Sequence, residues 1–116
     1  MTKITKPAKK TDAVLFEFIE RSIRNVDYVF LPHARARLAE RTILEPVVLD
    51  ILEGRKGTER RRNKRKDSFK CQGSDWNYCI EGIDPNARKI RIIVSFHEKT
   101  MPIITVMWVG RYEDEN

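Results

Sequence analysis

Long hydrophobic runs are missing from this sequence of 116 residues. No apolar run approaches the roughly 20 residues that a membrane-spanning helix needs. The first ten residues, MTKITKPAKK, are basic but lack the apolar segment of a secretory signal. We therefore expect a protein of the cytoplasm without a membrane partner.

Cysteine and histidine are scarce. The only cysteines are Cys71 and Cys79, and the only histidines are His33 and His97. Their spacing fits no zinc motif, and free thiols are the simplest expectation for a reducing compartment. The sequence therefore predicts no metal site and no cofactor.

Acidic residues are outnumbered, with 17 Asp and Glu against 23 Lys and Arg, giving a net charge of +6. This excess favours an anionic partner, which can be nucleic acid, an acidic protein or a membrane surface. It is concentrated between residues 55 and 70, and we predict that this run binds RNA phosphates. The alternatives are a solvated loop and a docking surface for an acidic protein. The predicted RNA-binding residues are Arg60, Arg61, Arg62, Lys64, Arg65 and Lys66.

Three segments have helical signals. Apolar residues recur at helical spacing from Leu15 to Val26, and Thr11 or Asp12 can cap this segment. A second helix is expected from Pro32 to Arg41, because proline suits a first helical turn. A third is expected from Leu44 to Gly54, where glycine can adopt the left-handed conformation that ends a helix.

Beyond Ser68 the hydrophobic period becomes two, which is typical of strands. Residues 76–81, 90–97 and 103–109 are the main strand candidates, and residues 27–31 are a short strand or an extended connector. We predict an α+β fold with two to three helices on one face of a three- to four-stranded antiparallel sheet. The predicted divisions are a disordered basic arm (1–10), a single domain (11–110) and an acidic tail (111–116).

The polar positions of the predicted strands carry candidate site residues. Lys70 and Arg91 are possible phosphate ligands, while Glu81 and His97 are titratable groups on the same face if the alternation holds. The alternative for each is a solvent-facing strand residue. Tyr78 and Trp108 are expected in the core.

The second helix carries a spaced motif. His33 and Ala34 are followed by Arg37, Leu38, Arg41 and Ile43, and then by a helix ending at a glycine. This pattern resembles small domain-of-unknown-function proteins that join the RelE, HigB and MqsR type II toxins. The resemblance covers most of the chain, from about Val29 to Val109.

The resemblance implies a RelE-like fold and metal-independent cleavage of messenger RNA, in which the 2′-hydroxyl attacks the adjacent phosphate. It also implies a cognate antitoxin protein, itself a DNA-binding protein. From the helical motif it carries over His33, Arg37 and Arg41. Histidine can shuttle a proton, and arginine can clamp a phosphate. The alternative is a structural role in capping and ion pairs, in which Glu40 would take part.

The candidate catalytic set is therefore His97, Arg91, Lys70, His33 and Arg37. The preferred function is a toxin with endoribonuclease activity. The alternatives are a non-catalytic RNA- or DNA-binding module and a catalytically dead protein-interaction domain of the same fold.

Overall fold

The computed structural model describes residues 7–69 and 75–111, and within them the chain forms three helices and five strands. The helices are α1 (Asp12–Arg24), α2 (Pro32–Arg41) and α3 (Glu45–Glu53). The strands are β1 (Tyr28–Phe30), β2 (Arg61–Arg62), β3 (Tyr78–Ile83), β4 (Arg88–Val94) and β5 (Met101–Arg111), and a 3₁₀ turn (Lys64–Lys66) follows β2. The prediction of an α+β fold is confirmed.

The five described strands form one mixed sheet in the order β1-β5-β4-β3-β2. Strands β2 to β5 are antiparallel, whereas β1 pairs parallel with β5, placing Phe30 opposite Ile103. The prediction of a purely antiparallel sheet of three to four strands was wrong. The extra strands are β1 and β2, which are short and depend on pairing with longer neighbours.

The predicted helix limits agree with the local chemistry. Thr11 caps α1, because its hydroxyl oxygen accepts a hydrogen bond from the Val14 N–H at 3.3 Å. Pro32 opens α2, and Gly54 ends α3 in the left-handed region with φ of 73°. Among the described residues, no helix is long and apolar enough to cross a bilayer.

The helices cover one face of the sheet. Alternate residues of β3 and β4 face them, so that Ile80 lies opposite Ile92 and Gly82 opposite Ile90. Helix α3 packs on β3, α1 packs on α3, and α2 runs beside β5. The opposite face, which carries Glu81 and Arg91, is called the polar face below.

Residues 7–10, which were assigned to the basic arm, pack along the sheet and α1. The Pro7 carbonyl accepts a hydrogen bond from the Trp76 indole N–H at 2.7 Å. The Lys10 backbone N–H donates to the Tyr78 hydroxyl at 3.1 Å, and its ammonium pairs with Asp75 at 2.5 Å. These contacts hold this part of the arm against the domain.

The end of α1 contains a strained residue. Val26 has φ of 56° and is 71% exposed, while Asp27 N–H donates to the Ser22 carbonyl at 2.7 Å in the bond that closes the helix. A β-branched side chain is unfavourable in this conformation, and glycine is not. We expect Val26→Gly to raise the free energy of unfolding by about 1 kcal/mol in urea denaturation. Val26→Ala, which keeps the Cβ atom, should gain less stability than Val26→Gly. A glycine variant no more stable than the alanine variant would contradict this explanation.

Candidate functional site

One row of cross-strand neighbours runs across four strands of the polar face. Arg61 of β2 lies opposite Glu81 of β3, Glu81 opposite Arg91 of β4, and Arg91 opposite Met107 of β5. Directly opposed side chains in a sheet lie within contact distance. The register therefore places one arginine on each side of Glu81, Arg61 on β2 and Arg91 on β4.

Glu81 is the centre of this arrangement. One carboxylate oxygen, Oε2, accepts hydrogen bonds from Arg91 Nε at 2.8 Å and from Asn63 Nδ2 at 3.1 Å. The other, Oε1, lies 3.7 Å from both Arg61 Nη2 and Lys89 Nζ. We call these five residues the Glu81 cluster.

The cluster determines the charge state of its carboxylate. Glu81 is only 2% exposed, and this burial alone would raise the pKa of its carboxyl group. Hydrogen bonds from Asn63 and Arg91, together with the charges of Arg91 and Lys89, outweigh burial and lower the pKa below its ordinary value. Glu81 is therefore an ionised anchor for the cations around it and a weak proton acceptor.

The cations of the cluster outnumber their anchor. Arg61, Lys89 and Arg91 bring three positive charges to the Glu81 carboxylate. The Arg61 side chain is 64% exposed and that of Arg91 is 22% exposed, so both have surface that a ligand can contact. An orienting carboxylate with surplus guanidinium groups is suited to binding a phosphate.

Two potential proton-transfer groups of β3 are unsuited to catalysis. Burial and the nearby Glu81 charge raise the pKa of the Cys79 thiol to about 12. Burial also raises the pKa of Tyr78, whose hydroxyl donates to Asp75 Oδ1 at 2.7 Å. Tyr78 lies in the core, as its position in the alternation predicts.

The predicted catalytic residues lie in separate places. His97 is exposed and lies beyond the end of β4, in the turn where its backbone pairs with Thr100. The prediction that it shares the polar face with Arg91 assumed a strand through residue 97, but β4 ends at Val94. Lys70 lies outside the described residues. Of the two sheet candidates that the structure describes, Arg91 belongs to the Glu81 cluster and His97 does not.

The other two candidates, His33 and Arg37, lie on α2. Together with Arg41 they form one wall of a cleft whose other wall is β5, from Thr105 to Trp108. Arg37 Nη1 pairs with Glu40 Oε2 at 2.7 Å. We call this the α2–β5 cleft, and it meets the Glu81 cluster at Met107, the cross-strand neighbour of Arg91.

The basic run divides into internal and external members. Arg62 has a side chain that is 1% exposed and pairs with Asp67 and Asp12, each at 2.8 Å. Burial would lower the pKa of Arg62, but hydrogen bonds to these two carboxylates outweigh it and raise the pKa. Arg60 donates to the Leu52 carbonyl at 2.7 Å and pairs with Glu20 at 3.2 Å.

Arg60 and Arg62 were both predicted to bind RNA. Their guanidinium groups instead form hydrogen bonds and ion pairs with other residues of the domain. The remaining members of the predicted set point outward or into the Glu81 cluster, and their RNA binding stays a prediction. They are Arg61, Lys64, Arg65 and Lys66.

Sequence reasoning missed Asn63 and Lys89. A signal for Asn63 existed, because Arg61 and Asn63 share one side of a strand if the basic run is extended. Lys89 comes one residue before the strand predicted from Ile90, so the alternation was not extended to it. In the part of the chain that the structure describes, no three His, Cys, Asp or Glu side chains are grouped to hold a metal.

The chain belongs to a family of domains of unknown function, DUF4258, whose model matches residues 30–108. The matched range begins in β1, ends in β5, and includes both the Glu81 cluster and the α2–β5 cleft. No curated protein and no solved structure matches the chain.

Proposed function

We propose that the chain is a RelE-like endoribonuclease toxin that cleaves single-stranded messenger RNA without a metal ion. The observation that carries the proposal is the Glu81 cluster, where three cations converge on one buried carboxylate and two of them, Arg61 and Arg91, keep solvent-accessible surface. The helical motif of α2 supports the toxin class through its resemblance to those proteins. Such a toxin would work in the cytoplasm and be restrained by a cognate DNA-binding antitoxin.

The proposed reaction forms a bond between the 2′-oxygen and the adjacent phosphorus and breaks the bond from phosphorus to the 5′-oxygen. Charge accumulates on the phosphoryl oxygens in the transition state, and Arg61 and Arg91 stabilise it. The Lys89 ammonium protonates the departing 5′-oxygen. A base must accept the proton of the 2′-hydroxyl, and His33 of the α2–β5 cleft is the candidate for this role that the resemblance carries over.

We expect the purified protein to cut single-stranded RNA in the presence of EDTA, leaving a 2′,3′-cyclic phosphate and a 5′-hydroxyl. Arg91→Gln should lower kcat by about 100-fold, because it removes a donor to the transition state. Arg61→Gln, at an exposed position, should lower activity with no loss of stability. Arg24→Gln, which removes an exposed arginine of α1, is the charge-matched control and should leave cutting unchanged.

The histidines provide a second comparison. His33→Ala should abolish cutting and retain RNA binding, while His97→Ala, on the exposed turn, should cut normally. The opposite result would assign the role of general base to His97. RNA that is bound with a steep salt dependence but never cut would refute the enzyme and favour the binding module.

That second function, a non-catalytic RNA-binding module, is favoured by one observation. Glu81 has a lowered pKa and Cys79 a raised one, so within the described residues neither group near the cluster is poised to exchange a proton at neutral pH. Cations alone bind phosphate without cleaving it. A gene for a small DNA-binding protein beside this one would favour the toxin.

A further inference from the structure

The α2–β5 cleft has an accessible tryptophan in its wall. Trp108 was expected in the core of a strand covered on both faces, but it is 41% exposed, and the neighbouring Met107 is 37% exposed. The pairing of β1 with β5 stops at Ile103, so α2 flanks β5 beyond that point. The cleft between them has a volume of about 360 Å³.

The indole N–H of Trp108 already has a hydrogen-bond acceptor within the protein. Trp108 Nε1 donates to the Gly110 carbonyl at 2.8 Å, within the same strand. What the side chain presents to solvent is therefore aromatic and apolar surface. Such a surface can stack on a planar ligand without leaving a polar group unpaired.

The opposite wall of the cleft is cationic. His33, Arg37 and Arg41 follow one another at four-residue spacing, which places them on one side of α2. Neither His33 nor Arg41 forms a side-chain hydrogen bond or ion pair with another described residue. Arg37 pairs with Glu40 at the surface, whereas the Arg41 guanidinium is free to bind a ligand. An aromatic surface facing two arginines has the chemistry of a nucleotide site.

We infer that the α2–β5 cleft binds one nucleotide of single-stranded RNA, with the base stacked on Trp108 and the phosphate held by Arg37 and Arg41. The inference rests on the proposed RNA substrate and assigns where the strand continues beyond the cleavage site. Met107 belongs to the cleft and lies opposite Arg91, so it is the point at which the cleft approaches the Glu81 cluster. Stacking is insensitive to base identity, and the preference here should therefore be for single strands rather than for a sequence.

The chain has two tryptophans, so Trp76→Phe leaves Trp108 as its sole indole fluorophore. A 2′-O-methyl oligonucleotide of about ten nucleotides, which lacks the attacking hydroxyl, should quench this fluorescence on titration. Trp108→Ala should weaken binding of the labelled oligonucleotide about tenfold, as measured by anisotropy. Trp108→Phe keeps an aromatic ring and should bind within about twofold of the parent.

The cationic wall is tested separately. Arg41→Gln should lower the dependence of log K on log salt by about 0.7, the value for one contact to a single strand. Arg24→Gln, outside the cleft, should leave the slope unchanged. Because the fluorescence titration needs no change at Trp108, it tests the inference even if the alanine variant fails to fold.

The results separate this inference from the proposed catalysis. Binding without quenching of Trp108 would overturn the nucleotide site and leave RNA binding at the Glu81 cluster intact. Quenching by the modified strand, with no cutting of ordinary RNA, would support the site and refute the nuclease. Equal quenching by an acidic peptide of the same charge would overturn the inference in favour of a protein-docking cleft.

Discussion

Glu81→Gln is expected to lower the free energy of unfolding by about 3 kcal/mol, the cost of breaking a buried ion pair by removing the carboxylate that accepts from Arg91. The glutamine keeps the shape of the side chain but removes the only negative charge of the Glu81 cluster. Arg91 and Lys89 then repel each other in a partly desolvated site. Urea denaturation measures the effect.

Glu17→Gln is the matched control. Glu17 also pairs with an arginine, Arg21, at 3.3 Å, but its side chain is 68% exposed. Exposed helical pairs contribute only about 0.5 kcal/mol, because water and salt screen them. If the two substitutions cost the same, burial of the Glu81 cluster does not determine its energy.

The ionisation of Glu81 also makes the stability of the folded protein depend on pH. The pKa of Glu81 in the folded protein lies below its ordinary value of 4.5. At a pH between these two values the unfolded chain binds more protons at Glu81 than the folded protein does. The stabilisation that ionised Glu81 provides is therefore complete above pH 4.5 and is lost as pH falls through the folded pKa. The difference in unfolding free energy between the parent and Glu81→Gln should therefore shrink below that pH.

Gly82→Ala is expected to cost about 3 kcal/mol through steric overpacking. Gly82 faces the helices, and an added Cβ atom would clash with Cγ2 of Ile51 and lie 2.9 Å from the Thr58 carbonyl oxygen. The Thr58 oxygen accepts a hydrogen bond from Ile83 N–H at 2.7 Å, so it cannot retreat without breaking a backbone contact. Helix α3 would have to move away from β3.

Gly57→Ala separates this clash from ordinary glycine strain. Gly57 has φ of +93°, and a Cβ atom there would meet nothing within 4 Å. Its substitution should cost about 1 kcal/mol through backbone conformation alone. Ile51→Ala removes the clashing methyl group, so the double variant with Gly82→Ala should lose less stability than the two single variants combined. Additive losses would show that the contact with Ile51 is not the cause.

The helices were predictable because their ends have local chemical signals. A threonine cap, a first-turn proline at Pro32 and a left-handed glycine at Gly54 each act within one turn. The parallel pairing of β1 with β5 has no such signal. It joins Phe30 to Ile103 across most of the chain, and a three-residue strand contains too little pattern to reveal its partner.

The site was predictable where the alternation was regular. Glu81 and Arg91 were placed on one face by parity, and the structure pairs them directly. The basic run has no apolar residue to set its register, so its internal and external arginines could not be told apart. Irregular register at Lys89/Ile90 and Ile93/Val94 interrupts the alternation against β5, which a period of two cannot predict.

The pairing of β1 with β5 has a consequence for synthesis. Met107 completes the row of the polar face, and Trp108 completes the cleft, yet both belong to the last strand of the sheet. A chain emerging from the ribosome can form α1 to α3 early, but the long-range pairing must wait until β5 is translated. The α2–β5 cleft is therefore absent from the nascent chain until β5 has emerged, whereas every residue of the Glu81 cluster is translated before β5.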